Sequence, residues 1–343
     1  MYGVRGAALV WFKNYLEDRK QKTVIDGTES DWGKIDTGVP QGSILGPLLF
    51  SIMVNDLPHV VHKCKIMLYA DDAVLFYSSP CPDEIEETLN TELQNVYKWV
   101  NDNGLALNLL KTQFMLFGSS NNLLKITKPI SLSVDGYQLT QVDSYKYLGV
   151  WLDPTLNWKE QIRCSSKKIG ARIARLGRVK KYLPLSSLKL LANSLIMPLF
   201  EYCSIAWSSC SKNVKDVLIK QHKKLARVVA GADLRTPTQQ VLQQLHWVQL
   251  EDRWNYQKCK MVFHALSEYS PTYLSDMFVR SQALHSYRTR NAMNMGLTIP
   301  KARTQMGKSR FSHDGAILWN RLPNAVKQAS SKQSFASLYW KSG

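Results

Sequence analysis

No apolar run long enough to cross a membrane occurs in this sequence of 343 residues. A spanning helix needs about 18–20 consecutive apolar residues, and every hydrophobic stretch here is interrupted sooner. Cysteine is sparse: the six are Cys64, Cys81, Cys164, Cys203, Cys210 and Cys259. None forms a C-x-x-C pair, and no histidine cluster supplies zinc-finger spacing, which excludes the common structural zinc modules. Cys203 and Cys210 lie near a helical run and read as core thiols. The first residues do not read as a secretory leader. The start, MYGVRGAALVWFKNYLEDRK, has only a short apolar patch at residues 7–12, with charges close behind it. Its spacing at Ala8, Trp11, Phe12 and Tyr15 predicts an amphipathic helix instead. Scattered thiols without a leader point to a reducing compartment, cytoplasm or nucleus.

Acidic residues are scarce in one part of the chain only. Residues 1–150 hold 13 Lys and Arg against 17 Asp and Glu, whereas residues 151–343 hold 31 against 10. The whole net charge of +17 therefore comes from the second part. Such a lopsided segment repels itself unless a polyanion covers it, and nucleic acid is the commonest one. A basic surface kept for solubility is the alternative. Hydrophobic residues make up 45% and charged residues 21%, an ordinary globular balance with enough apolar material for a core. The length suggests two or three domains.

The first part alternates strand and helix signals. Val24 and Ile25 precede an Asp26-Gly27 turn, with Trp32 and Ile35 on the return, which predicts a hairpin over 21–36. A Gly- and Pro-rich stretch, TGVPQGS, leads into a buried helix from Leu45 to Leu57, with Pro47 early where its missing N–H is harmless. Residues 81–104 form the clearest helix. Acidic residues crowd its start, Leu89, Leu93, Val96 and Val100 make a stripe, and Asn103-Gly104 ends it. Strands follow at 113–117, at 131–134 before an Asp135-Gly136 turn, and around 138–152. The pattern is α+β on an antiparallel sheet with helices. From Asp153 the chain turns helical. Ile162, Ile169, Ile173 and Leu176 stripe a helix whose other faces carry Arg163, Lys167, Lys168, Arg172, Arg175 and Arg178. Further helices are expected at 185–208 and 213–231, and looser helical structure beyond about 236. No internal repeat is evident.

One stretch stands out: LYADDAVLFY, residues 68–77. Ile66, Leu68 and Ala70 alternate, then Val74 and Phe76, which predicts two buried strands with Asp71-Asp72 at the tight turn. Like charges braced by apolar strands raise one another's pKa or recruit a cation. Hard carboxylate oxygens suit Mg²⁺, which takes one or two protein carboxylates plus substrate phosphates. A solvated Asp-Asp turn is the alternative for the pair taken alone.

The neighbours of that pair carry a resemblance. TGVPQGSILGPLLF, YADD, LNLLKTQFMLFG and YKYLGVWLD occur in this order. They look like motifs B, C, D and E of the reverse transcriptases of non-LTR (LINE-type, jockey-like) retrotransposons. YGVRGAALVWFKNYLEDRKQ, SLIMPLFEYCSIAW, the Arg-rich region at 160–231 and FSHDGAILWNRLP extend the resemblance over essentially the whole chain. It implies a partial right-hand polymerase palm at 1–152, a basic helical thumb at 153–235 and a basic C-terminal helical domain at 236–343. It implies RNA-directed DNA polymerisation by two-metal nucleotidyl transfer, with Mg²⁺, an RNA template, a DNA primer and dNTPs. Asp71 would bind the catalytic metals, with Asp72 beside it and bound less directly. Tyr69 would sit by the primer terminus. Pro40, Gln41 and Gly42 would form the turn beneath the templating base and incoming nucleotide. Lys111 would protonate the leaving pyrophosphate, with a surface lysine at a strand edge as the alternative. Tyr147, Leu148 and Gly149 would form the primer grip.

Two metals held about 3.5–4 Å apart need a carboxylate from a second strand. In the family it lies in motif A, before the YGVRG segment, and neither Asp36 nor Asp56 stands where it should. The resemblance thus implies that motif A, the fingers and the endonuclease are absent, with little or no polymerase activity in this chain alone. A non-catalytic RNA- or DNA-binding remnant, or a co-opted fragment, is the alternative; a true start upstream of Met1 is a third reading. In the second part, Lys168, Arg172, Arg175 and Arg178 would bind backbone phosphates without reading sequence. Arg288, Arg290, Lys301, Arg303, Lys308 and Arg310, with Tyr287 and Phe311, form another basic patch that suits a single strand, although those aromatics also read as core. Trp319, Leu322 and Pro323 read as packing residues.

Overall fold

The computed structural model describes residues 3–267, 269–283 and 294–342. The chain divides into two units: Met1–Phe114 with Leu124–Gln141, and Met115–Leu123 with Val142–Gly343.

In the first unit the predicted opening helix forms at Gly6–Leu16 but buries none of its residues. Its aromatic residues pack on each other instead, Trp11 stacking on Tyr15 at 5.2 Å. The Asp-Gly signal gives the expected tight turn, with Asp26 at φ 48° and Gly27 at φ 82°, between Val24–Ile25 and Thr28–Glu29. Ile35 pairs elsewhere than expected: Gly33–Ile35 runs antiparallel to Arg19–Gln21. Pro47 lies in the first turn of helix Gly46–Met53, which tightens into a 3₁₀ segment over Val54–Val60. Helix Pro82–Asp102 carries Asp83 and Glu84 in its first turn. It ends with Gly104 at φ 66° and a Leu105 N–H bond to the Val100 carbonyl at 2.9 Å. Its buried face is rotated from the predicted stripe. Thr88, Glu92, Val96, Trp99 and Val100 are buried, while Leu89 and Leu93 are only half-buried. Trp99 is the reason: it packs with Leu57, Val96 and Val100 into a small core that Ile66, Leu68 and Leu75 cover.

The expected antiparallel sheet is not continuous. The described residues form six two-stranded ladders, of which one, Thr140–Gln141 with Gln113–Phe114, is parallel. The strand predicted at 113–117 keeps only its first two residues in a ladder.

In the second unit, hairpin Tyr145–Tyr147 and Val150–Leu152 leads to Asp153. Nothing in spacing or composition marks this side chain. It is buried and organises the whole approach to the next helix. One carboxylate oxygen accepts from the Thr155 N–H at 3.2 Å, the Thr155 hydroxyl at 2.9 Å and the Asn157 N–H at 3.0 Å; the other accepts from the Trp158 N–H at 2.9 Å. Asp153→Ala should therefore cost about 2 kcal/mol, because four donors lose a charged acceptor. A lower urea midpoint at unchanged m checks this.

Helix Lys159–Val179 buries all four predicted stripe residues, Ile162, Ile169, Ile173 and Leu176. It lies against helix Lys212–Ala230, where Gln221 Nε2 donates to the Ser166 carbonyl at 3.0 Å and a Cβ on Gly170 would touch that same amide at 3.5 Å. The single helix predicted over 185–208 is broken. Leu185–Leu191 passes through a π-helical turn, Ala192–Ile196, into Met197–Glu201, and Ser204–Trp207 follows. Pro198 has no N–H to give the preceding turn, and Cys203 takes φ 51°, so the ladder cannot run through. Cys203 is exposed, not a core thiol, and Cys210 is half-buried.

Farther on, Trp319, Phe335, Phe263 and Val262 centre a second core, with Leu322 packed against it. Pro323 caps the short helix Asn324–Lys327. Phe311 belongs to this core, edge-on to Phe278 at 5.3 Å, and is not a free stacking surface. Lys301, Arg303, Lys308 and Arg310 are exposed; Tyr287, Arg288 and Arg290 lie outside the described residues.

Candidate functional site

The carboxylate pair sits where a two-residue loop closes a hairpin. Strands Lys65–Tyr69 and Asp72–Phe76 pair antiparallel with Tyr69 opposite Asp72. The loop is thus Ala70-Asp71, and Asp72 opens the return strand instead of sharing the turn. Ala70 stands at φ 51°, a left-handed conformation that strains an L-residue and is concentrated at functional turns. The hairpin has two unlike faces. Ile66, Leu68 and Leu75 pack toward the Trp99 core. The opposite face carries Met67, Tyr69, Asp72 and Phe76. Tyr69 is 63% exposed, and both aspartates are exposed. The prediction that the strands are buried thus holds only in part, on one face and half-buried.

A buried glutamate fixes the segment feeding this hairpin. Glu92 accepts from the His62 N–H at 3.0 Å and from the Lys63 N–H. Burial alone would push its pKa up, but the Lys63 and His62 amides outweigh it and hold the carboxyl below its ordinary range. On the far side, Glu84 accepts from Ser79 and Tyr77 hydroxyls, and these bonds lower its pKa. The carboxylates of Asp71 and Asp72 make no hydrogen bond or ion pair with any described residue, and both side chains are exposed.

Residues 40–42 form a second exposed turn in the same unit. Ser43 N–H bonds to the Pro40 carbonyl at 3.3 Å, and Gly42 stands at φ 80° with open space where a Cβ would be. That φ strains any residue but glycine, and the bare backbone leaves room for close approach. Gln41 is exposed beside it. Arg19, which the sequence reading missed, ties down the approach by donating to the Thr37 carbonyl at 2.9 Å and the Gly38 carbonyl at 2.6 Å. Lys111 is exposed in the turn before Gln113–Phe114, its N–H bonded to the Asn108 carbonyl at 3.1 Å.

The remaining expected residues belong to the second unit. Tyr147 pairs with Val150, leaving Leu148 at φ 44° and Gly149 at φ 84° as a two-residue turn. Tyr202, on FEYCSIAW, holds it: its hydroxyl donates to the Leu148 carbonyl at 2.6 Å, and a Cβ on Gly149 would come within 3.2 Å of its ring. Gly149 is therefore required both by φ and by space. That segment holds three aromatic residues, Phe200, Tyr202 and Trp207, and nothing in its spacing singles out Tyr202. Lys168, Arg172, Arg175 and Arg178 are all exposed on helix Lys159–Val179, on the side away from its buried stripe. Arg172 also donates to the Leu195 carbonyl. Arg163, by contrast, is paired with Glu160 through Nε at 2.8 Å and Nη2 at 2.6 Å, so its charge is spent locally.

The donors at the hairpin fit a divalent cation in type and only partly in number. Two carboxylates suffice for one Mg²⁺ that shares its shell with water and phosphates. Among the described residues, no group of three or more His, Cys, Asp or Glu comes together to hold a metal.

Residues 2–152 match the family model described as reverse transcriptase (RNA-dependent DNA polymerase). Among curated proteins, the chain is 30% identical over 227 residues to the "Probable RNA-directed DNA polymerase from transposon BS" of Drosophila melanogaster, covering 63% of this chain and 25% of that protein. It is 26% identical over 230 residues to the RNA-directed DNA polymerase from mobile element jockey of Drosophila funebris, covering 64% and 25%. It is 26% identical over 179 residues to the retrovirus-related Pol polyprotein from type-1 retrotransposable element R1 2 of Nasonia vitripennis, covering 50% and 43%. The chain spans about a quarter of the length of the first two. Alignments of 227 and 230 residues are longer than the family match, so the likeness extends beyond it.

Proposed function

We infer, from the match of residues 2–152 to the reverse transcriptase family model and from relatives named as RNA-directed DNA polymerases of a transposon and a mobile element, that the chain is part of an RNA-directed DNA polymerase. Residues 1–152 would be palm, 153–235 thumb and 236–343 a C-terminal domain. The observation that carries this reading is the exposed Asp71-Asp72 hairpin tip, with Tyr69 directly across from Asp72. Asp71, with Asp72 beside it, would hold Mg²⁺. Divalent ions bound there would supply charge neutralisation for the triphosphate and activation of the primer 3′-hydroxyl.

The chain's own residues do the positioning. Gly42 lets the backbone approach the base pair being formed, between template RNA and dNTP, while Pro40 and Gln41 shape that turn. Tyr69 offers an exposed ring to the primer end. Lys111, exposed and mobile-stemmed, would give a proton to the leaving pyrophosphate. Tyr147, Leu148 and Gly149, locked by Tyr202, would grip the primer strand. The compartments that suit such work are cytoplasm and nucleus.

Two exposed carboxylates are half of a two-ion donor set, so the chain by itself should extend a primer little or not at all. The test is oligo(dT) extension on poly(rA) with dTTP and Mg²⁺. The expected result is no extension above that of Asp71→Ala. Robust extension that Asp71→Ala abolishes would overturn the incomplete-site reading. A second reading, a non-catalytic nucleic-acid binder, is favoured by the exposed basic stripe on helix Lys159–Val179, which is independent of the carboxylates. It expects duplex binding that survives Asp71→Ala.

A further inference from the structure

One cavity in the second unit, about 420 Å³ in volume, combines aromatic and hydrogen-bonding groups. Trp340, Tyr256, Arg253, Gln257 and His246 line it, together with Val248 and the carboxylate of Glu201. Trp340 is 41% exposed, unlike Trp207 and Trp254, which are buried in the core that also holds Ile169, Ile173 and Leu176. Tyr256 lies 5.0 Å from it at an interplanar angle of 41°. Tyr256 is itself braced by Tyr339 at 5.1 Å and Phe335 at 6.5 Å. The aromatic wall is therefore anchored at its back and open at its edge. Arg253, Tyr256 and Gln257 follow at i, i+3 and i+4 on helix Leu250–Leu266, so they share a face. Arg253 Nε pairs with Glu201, which sets the guanidinium plane. Its Nη groups make no hydrogen bond to any described residue. His246, exposed at φ 54°, stands at the end of helix Thr238–Leu245.

These groups match one chemistry. Indole and phenol faces stack on any base. A guanidinium stacks or donates, and a carboxamide both donates and accepts along a Watson–Crick edge. The volume lies within the range of small-ligand pockets and admits one nucleotide. The surrounding charge favours a polyanion, with 31 basic residues against 10 acidic over 151–343.

We propose that this cavity takes an unpaired base of a single-stranded nucleic acid, apart from the duplex-binding stripe on helix Lys159–Val179. The proposal rests on the reading of the chain as a nucleic-acid-binding polymerase part.

The test uses the full chain and fluorescence anisotropy with short labelled oligo(rA), oligo(dA) and an RNA–DNA duplex. Trp340→Ala should weaken single-strand binding about tenfold while leaving duplex binding nearly unchanged. Trp340→Phe should restore most of the loss. Gln257→Ala, which removes no packing ring, should weaken single-strand binding in the same direction. A strand carrying 5-iodouridine should cross-link to Trp340 or Tyr256, and the ratio of oligo(rA) to oligo(dA) affinity assigns the strand. Equal weakening toward strand and duplex, no change in either variant, or cross-links mapping elsewhere would overturn the proposal. If the wild-type chain binds duplex but no single strand, this inference falls and the polymerase reading stands. If it binds neither, both fall.

Discussion

Changing Lys168, Arg172, Arg175 and Arg178 together to glutamine should weaken binding of an RNA–DNA duplex by about 10²–10³-fold at about 0.1 M salt. Each phosphate neutralised by a basic side chain releases condensed counterion. Four such contacts contribute roughly 3 to the slope of log affinity against log salt, and that slope should fall by the same amount. The four side chains are exposed on one helix whose buried stripe is Ile162, Ile169, Ile173 and Leu176. The substitution leaves that stripe intact and removes, besides charge, one hydrogen bond from Arg172 to the Leu195 carbonyl. Arg163→Gln is the internal control: its guanidinium is already matched by Glu160, so it should change affinity little. A titration over several salt concentrations separates the two outcomes. An unchanged slope in the quadruple variant would remove the thumb assignment.

The second large effect is acid lability centred on His222. Its ring is buried between Trp247, stacked at 5.8 Å, and Phe200, edge-on at 5.8 Å. Nε2 is buried without a partner among the described residues. Burial first, then the positive charges of Arg253 and Lys223, push its pKa from 6.5 down to about 4. In the unfolded chain the imidazole accepts a proton near 6.5. Between that value and about 4, the unfolded state thus binds more protons than the native state, so stability drops as pH falls. The full window corresponds to about 3 kcal/mol, of which about 2 kcal/mol is lost between pH 7 and pH 5. Urea unfolding of His222→Phe should lack this part of the pH dependence, while carboxylates still contribute below about pH 5. Parallel pH curves for wild type and variant would show that the ring titrates normally in the fold.

Periodicity made the long helices legible. The stripe at Ile162, Ile169, Ile173 and Leu176 is buried as the spacing required, and Asp26-Gly27 and Asp135-Gly136 turned as their φ preferences demand. Helix Pro82–Asp102 shows the limit of that reasoning. Its length and ends followed from its acidic start and Asn103-Gly104, but Trp99 and the buried Glu92 rotated the packed face, because tertiary partners, not spacing, decide which side is covered. The break after Leu191 depends on one missing N–H at Pro198 and one left-handed residue at Cys203. Neither signal is strong against the apolar run around it.

Strand existence was readable, whereas sheet assembly was not, since it depends on partners distant in sequence. At the candidate site, the motifs picked out Asp71, Gly42 and Gly149, two of them glycines at positions whose backbone would strain other residues. The supports went unseen: Arg19, Glu92, Asp153 and Tyr202 act through hydrogen bonds to backbone, which leave no pattern in composition or spacing.

The most direct measurement of the central claim is the place where a primer end touches this chain. Oligo(dT) carrying 4-thiothymidine at its 3′ terminus, annealed to poly(rA) and irradiated with the purified protein, should cross-link to the hairpin at residues 65–76, with Tyr69 the foremost acceptor. Asp71→Ala should keep that cross-link, since the ring and not the carboxylate makes the contact. Cross-links confined to residues outside the hairpin, in peptides mapped from the wild-type chain, would contradict the assignment of Asp71 and Asp72 to the polymerase site.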